Sequence, residues 1–473
     1  MDKPTLSPTK EQLHILSLLS STRSNILINA LAGTGKTSTL ELIQNAANPP
    51  VLCLAFNRRI ADEMEKRFRS TTTVRTLNGL GHRIWAAACA GRLSLNPKKS
   101  QDILRDLISS LPKPSQGEAY DDFWSIISGV ALAKSLGYIP EGKFPNTKRL
   151  IRSEAFFAQL DEVPSPLTTS LINQTLTASI TSAYAGNIDY NDQVYMPALF
   201  GGTYPRFPLV LIDEAQDLSP INHEMLGHLK ASRLIAVGDP WQSIYGFRGA
   251  VQNGMGKLRE RFEMIEADLS VSFRCPSAIV RAAHWRAPIM RWSREGGRVA
   301  KLRNPSMASF IDGSAIICRN NAPLFSLALR LLSAGRSVSV SGSDVGPRII
   351  AVMKKLGPEA MPQEELLNEI EIWRQEKLSK QSTSANDLAS CMQVFANQGS
   401  TLGQAIAYAD HLFKQKGTIT LLSGHKAKGL EWSTVYHLDS WLCRENEQDL
   451  NLRYVITTRA MQNYYEIDSR EVR

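Results

Sequence analysis

Residues 25–44 read NILINALAGTGKTSTLELIQ, and the rest of the chain is arranged around this stretch. Ile26, Leu27 and Ile28 form a short apolar run between asparagines, long enough for a buried strand. The loop residues Ala30 to Thr37 follow, and then a helix-forming run that Pro49-Pro50 ends. Strand, glycine-containing loop and helix, in that order, is the context a phosphate-cradling loop requires. Gly33 and Gly35 lack a Cβ, so the backbone can turn tightly and aim the N–H groups of Ala32, Gly33, Thr34, Gly35 and Ser38 at an anion. The helix N-terminus adds positive potential at the same place. Lys36 has the reach to meet β- and γ-phosphates, and the Thr37 hydroxyl suits Mg²⁺. Ala30 stands where the usual pattern has its first glycine. A chance glycine-rich turn is the alternative, and the lysine and hydroxyl directly after the last glycine argue against it.

The chain has 473 residues, more than one hydrophobic core ordinarily serves, so two or more domains are expected. Lys+Arg number 54 against 45 Asp+Glu, a net charge of +9 that suits a polyanionic partner, most simply nucleic acid. The six cysteines are scattered without zinc-finger or CxxC spacing, which predicts reduced thiols in a cytoplasm-like compartment. No leader segment is read at the start, and no apolar run is long enough to span a membrane, so no membrane partner is expected.

Ahead of the phosphate loop, residues 12–19 predict a helix capped by Ser7 or Thr9. Gln12, at its start, offers a carboxamide that can pair with an adenine edge or simply remain solvated. Val51 to Ala55 predicts a second buried strand, followed by Phe56-Asn57-Arg58-Arg59 and a helix running to Arg69. A ring for stacking beside cations for phosphates suits a single strand of nucleic acid, while a basic solvated helix with one core Phe fits equally. Thr76 and Asn78 beside paired glycines can hold a backbone phosphate. Residues 86–200 read as an inserted helical subdomain, in which Lys98, Lys99, Lys134, Lys143, Lys148, Arg149 and Arg152 form a charged solvated face or touch a nucleic-acid backbone.

Phe207 to Ile212 predicts a strand ending in Asp213-Glu214-Ala215-Gln216-Asp217. There Asp213 can hold Mg²⁺ directly or through water, and Glu214 can orient or deprotonate an attacking water. Leu234 to Val237 predicts another strand, which leads to Gln242 and then to Tyr245, Phe247 and Arg248. Such a segment can couple phosphate sensing at one end to base stacking at the other. Phe273-Arg274 adds a second aromatic–arginine pair. Strands are predicted at 315–318, 338–341 and 419–422, and residues 343–416 read as helical and polar with a solvated tract near Lys380 to Asn386.

The ordered blocks LSPTKEQ, ALAGTGKTS, LAFNRRIADEM, TLNGLGHR, LIDEAQD, VGDPWQSIYGFRGA, SFRCP, HKAKGLEW and YVITTRA resemble the superfamily 1 DNA helicases of the UvrD/Rep type, with some likeness to the F-box DNA helicase branch. The resemblance implies an α/β fold of two RecA-like P-loop domains with parallel sheets, each carrying an inserted helical subdomain. Residues 1–85 with 201–265 would form the first and 86–200 its insertion. Residues 266–342 with 417–473 would form the second and 343–416 its reduced insertion, much shorter than the family's second accessory domain. By the same resemblance the cofactors are ATP and Mg²⁺. Gln12 and Phe273 would bind adenine, Lys36 and Thr37 phosphate and metal, and Glu431 the ribose or triphosphate. Gln242 would sense the γ-phosphate, with Arg274 and Arg459 as arginine fingers. Phe56, Asn57, Arg58, Thr76, Tyr245, Phe247, Arg248 and His425 would meet the strand, His425 serving equally well as a structural bridge.

The implied activity is ATP-dependent 3′-to-5′ movement on single-stranded DNA or at single/double-strand junctions, in a cytoplasm and near the nucleoid. The alternatives are a DNA-stimulated ATPase that strips proteins, a motor subunit of a repair, recombination or defence complex, and a nucleotide-switched binding module. RNA also fits as a track, since no residue reads or rejects a 2′-hydroxyl.

Overall fold

The protein is seen as a computed structural model that describes residues 7–89, 91–246, 249, 253–341 and 345–473. The chain divides into two units, Met1–Ala30 with Gly35–Leu269, and Leu31–Thr34 with Ser270–Arg473.

The first unit is built on six strands: β1 Ile26–Ala30, β2 Val51–Ala55, β3 Thr72–Thr76, β4 Arg206–Ile212, β5 Lys230–Gly238 and β6 Ile265–Leu269. They pair in parallel in the order β3-β2-β4-β5-β1-β6. Side chains alternate across a strand, so Leu27, Leu52 and Leu54 enter one buried cluster while Ile26, Ile28, Val51 and Cys53 enter another. Burial on both sides explains why these strands read as unbroken apolar runs. Helix α1 (Lys10–Ser21) is capped by Thr9, and α2 (Lys36–Ala46) starts directly from the glycine loop. The helices Phe123–Leu136 and Pro166–Tyr184 share one continuous core with the sheet through Ile126, Val130, Leu171 and Leu176. Gly81 is required where its helix passes a neighbour, because a Cβ there would lie 1.9 Å from the Gln193 carbonyl oxygen.

The second unit has its own six-stranded parallel sheet: β7 Arg298–Leu302, β8 Ala315–Cys318, β9 Val338–Val340, β10 Ile419–Ser423, β11 Trp432–Leu438 and β12 Ala460–Ile467. The order is β7-β12-β11-β8-β10-β9. Two parallel sheets of RecA-like kind, with helical insertions, make the fold class expected from the sequence.

Two expectations need correction. Lys99 and Lys134 do not lie on a solvated face; both are 1% exposed. Lys99 Nζ pairs with Asp192, and Lys134 Nζ lies 2.6 Å from Asp189 Oδ2 and 2.7 Å from Asp192 Oδ1. Ser179 adds its carbonyl oxygen to Lys99 and its hydroxyl oxygen to Lys134, each at 2.9 Å. Buried charges persist only when paired and hydrogen-bonded, and here they are. The tract 380–386 is not uniformly solvated either. Ser382 and Ala385 are buried, and Ala385 opens the helix Ala385–Ala396, whose Leu388, Met392 and Phe395 recur at helical spacing and enter the core of the second unit. None of the six cysteines is disulfide-bonded. Among the described residues no helix is long and apolar enough to cross a membrane.

Candidate functional site

Because every strand of the first sheet runs parallel, their carboxyl ends share one edge, where ligands of open α/β sheets bind. The glycine loop follows β1, Asp213-Glu214 follow β4, the segment to Gln242 follows β5, Phe56-Asn57 follow β2 and Thr76 ends β3.

Lys36 Nζ lies 3.5 Å from Glu214 Oε1, with both side chains largely buried. Glu214 has φ 51° and ψ 44°, a left-handed conformation that a non-glycine residue rarely holds. Strain of this kind is kept where the surroundings over-determine it, commonly at functional sites. Here Gln216 Nε2 donates to Glu214 Oε2 at 2.5 Å, and Gln216 Oε1 accepts the Asp239 N–H at 3.0 Å. Asp239 Oδ2 in turn accepts from Gln242 Nε2 at 2.7 Å. A continuous chain thus joins the carboxylate after β4 to the carboxamide after β5. Sequence reading gave Gln216 and Asp239 no role; the available signal was a polar residue within a few positions of the end of each of two parallel strands.

Asp213 is buried, and burial, then the neighbouring Glu214 charge, pushes its carboxyl up to about 7. Its Oδ1 is buried without a hydrogen-bond partner. A carboxylate oxygen left in that state suits a cation, so Asp213 and the Thr37 hydroxyl fit Mg²⁺. Among the described residues no group of three or more carboxylate, histidine or cysteine side chains forms a metal cage. Mg²⁺ beside phosphates needs only one or two carboxylates.

Gln12 is buried beside the loop: a Cβ on Gly35 would lie 3.8 Å from its Nε2. Its Oε1 accepts the Thr9 N–H at 2.9 Å, completing a capping box, and its Nε2 donates to Thr39 Oγ1 at 3.0 Å. Gly35 caps α2 in a left-handed conformation at φ 83°, and the exposed Ser38 hydroxyl accepts from Arg67 at 3.2 Å.

Of the expected strand-binding residues, Phe56 and Tyr245 face each other with ring centroids 6.3 Å apart and planes 9° from parallel. Asn57 caps the helix Arg58–Arg67 by accepting the Ile60 N–H at 2.9 Å, and Arg58 pairs with Asp62 at 2.8 Å. Thr76 accepts the Gly79 N–H at 3.0 Å, while Asn78 Nδ2 donates to the Tyr190 carbonyl at 2.5 Å. Phe247 and Arg248 lie outside the described residues.

Leu31–Thr34 groups with the second unit. Ala32 N–H donates to Tyr454 Oη at 3.2 Å, Ser272 Oγ to the Ala32 carbonyl at 2.8 Å, and Phe273 N–H to the Gly33 carbonyl at 2.8 Å. Gly33 holds φ 73°, and a Cβ on it would come 2.5 Å from Arg274 Cβ. Thr34 Oγ1 donates to the Leu31 carbonyl at 2.8 Å. The Phe273 ring is 51% exposed, and Arg274 Nε lies 2.5 Å from Glu431 Oε2. Arg459 is buried: its Nε donates to the Val455 carbonyl at 2.9 Å, Nη1 to the Leu430 carbonyl at 3.3 Å and Nη2 to Thr458 Oγ1 at 3.2 Å. His425 sits half-buried in the short helix Gly424–Ala427.

Strand, glycine loop and helix at the carboxyl edge of a parallel sheet form a P-loop arrangement. Residues 190–263 match the UvrD/REP helicase N-terminal domain, and residues 7–101 match an AAA domain. The chain is similar to DNA helicases of the UvrD/Rep type. It is 23% identical to F-box DNA helicase protein 1 of Schizosaccharomyces pombe over 97% of this chain and 57% of that one. It is 26% identical to DNA helicase IV of Escherichia coli over 55% of this chain and 44% of that one. With DNA helicase II of Escherichia coli the figures are 23%, 55% and 38%. The chain spans about half the length of the curated relatives it matches.

Proposed function

We propose that the protein hydrolyses ATP to move along single-stranded DNA in the 3′-to-5′ direction, as a helicase or translocase. The observation that carries this reading is the Lys36–Glu214 pair beside Asp213, joined through Gln216 and Asp239 to Gln242. Lys36 and the loop amides bind the phosphates. Glu214, fixed by Gln216, takes the proton of the attacking water, a role worth about 10²–10⁴ in rate. Thr37 and Asp213 would hold Mg²⁺, which when bound would supply charge neutralisation on the phosphate oxygens. Gln242 senses the γ-phosphate, and through it the state of the nucleotide reaches Tyr245, three residues on, whose ring faces Phe56. Arg274 and Arg459 are the proposed transition-state cations. Gln12, Phe273 and Glu431 complete the proposed nucleotide contacts.

The names of the relatives support DNA as the track. An RNA oligonucleotide run beside the DNA one tests the alternative track. Displacement of streptavidin from biotin placed at either end of an oligonucleotide reports direction; release from the 5′ end, dependent on ATP, is expected, and release from the 3′ end alone contradicts it. The second reading, a motor that strips proteins with little unwinding, is favoured by the short tract 345–414, whose helices pack into the second unit's own core. Streptavidin release without opening of a forked duplex selects it.

A further inference from the structure

Residues 281–303 read RAAHWRAPIMRWSREGGRVAKLR, six arginines and a lysine against a single glutamate. This short segment holds most of the chain's excess of positive charge. It runs from the helix Ser277–Ala283 through β7, the edge strand of the second sheet. Arg281 Nη2 lies 3.5 Å from Glu295, and its guanidinium lies 4.9 Å from the Trp292 ring centre. Four residues beyond Arg281 and past the end of that helix, Trp285 remains 43% exposed, with the Arg453 guanidinium 5.3 Å from its ring centre. Trp285, Val299, Lys301, Arg453, Tyr464 and Glu466 line a cavity of about 260 Å³.

Cations on an edge strand also keep it from pairing with another chain, which accounts for Arg298 and Lys301. That role leaves unexplained a half-exposed indole with a guanidinium over it, at the mouth of a cavity that Lys301 and Arg453 line. An open aromatic face among arginines is what a single strand uses, each ring stacking a base while the cations track phosphates. The one acidic lining residue, Glu466, lies 3.4 Å from Arg453 and orients it more than it repels a phosphate.

We propose that this surface of the second unit is an additional binding site for single-stranded nucleic acid, separate from the Phe56–Tyr245 pair. Trp285 stacks one base in the cavity, and Lys301 and Arg303, which share the cavity's face of the strand, meet the flanking phosphates. The proposal rests on the reading of the chain as a single-strand motor.

The test is fluorescence anisotropy of a long labelled oligo-dT on the full chain across a salt series, with wild type, Trp285→Ala and the double variant Lys301→Ala/Arg303→Ala. Trp285→Ala is expected to weaken binding by about tenfold, within the range for loss of one stacked base. The double variant is expected to lower the slope of log affinity against log salt by about 1.4, since each phosphate contact on a single strand contributes roughly 0.7. ATP hydrolysis without DNA stays at the wild-type rate in both. Wild-type affinity and slope in both variants overturn the proposal. So does a defect confined to phosphatidylserine vesicles or an acidic peptide while the DNA affinity stays intact. A wild-type chain that neither binds the strand nor hydrolyses ATP refutes the motor reading itself; an active wild type with unaltered variants refutes only this site.

Discussion

Glu214 Oε1 faces Lys36 and Glu214 Oε2 faces Gln216, so one carboxylate is both neutralised and aimed. Glu214→Gln keeps the shape and removes the base; turnover is expected to fall at least about 10²-fold while nucleotide binding persists. Lys36→Ala is expected to end hydrolysis and leave DNA binding largely intact. Single-turnover hydrolysis and equilibrium nucleotide binding, measured on both variants, separate the two roles; strand-stimulated turnover surviving in Lys36→Ala would refute the assignment. Phe56→Ala removes half of the facing pair, and a loss of about 1–3 kcal/mol in oligo-dT affinity is expected by titration. The places of Lys36, Thr37, Asp213 and Glu214 beyond strand ends were legible because an apolar run announces each strand. The involvement of Gln12 in a capping box was not foreseen, since Thr9 and Thr39 compete for the same carboxamide an adenine would use.

The helical insertion of the first unit is pinned by charges that local patterning cannot reveal. Lys99 and Lys134 stand 93 and 55 positions from the aspartates they meet, and a lysine at a helix start looks like any solvated one. Burial disfavours the Asp189 carboxylate, but Lys134 and then Lys99 outweigh it and hold the group at about 2. Removing one partner strands a buried charge, so Lys134→Met is expected to lower stability by roughly 3–5 kcal/mol in urea unfolding. A loss below about 1 kcal/mol contradicts the pairing.

Two buried histidines set a pH dependence with a definite sign. Burial, then Arg261 and Lys257, lowers His223 to about 4; burial, then Arg453, lowers His437 to about 3. Both folded values lie below the ordinary 6.5, so the unfolded chain binds more protons through this window. Stability is fully present above about pH 6.5 and falls as pH drops, by up to about 1.4 kcal/mol per unit for each histidine. His437→Gln is expected to flatten the decline between pH 6.5 and 4 in calorimetric scans. An unchanged slope contradicts its place in the core beside Tyr464, whose hydroxyl lies 2.7 Å from His437 Nδ1.

For the whole molecule, two parallel sheets were legible because strands buried on both faces leave continuous apolar runs. Less legible was the merging of each helical insertion with the core beneath it, because residues such as Ile126 and Met392 reveal their partners only in three dimensions. The excess of basic residues predicts strand affinity that weakens steeply with salt, in proportion to the phosphates neutralised. The account turns on coupling between nucleotide and strand, and one measurement addresses it: steady-state ATP hydrolysis by the full chain with and without oligo-dT, beside Glu214→Gln. The account predicts that the strand accelerates turnover severalfold or more and that the variant abolishes it. A rate indifferent to the strand, or equal in the variant, would contradict it.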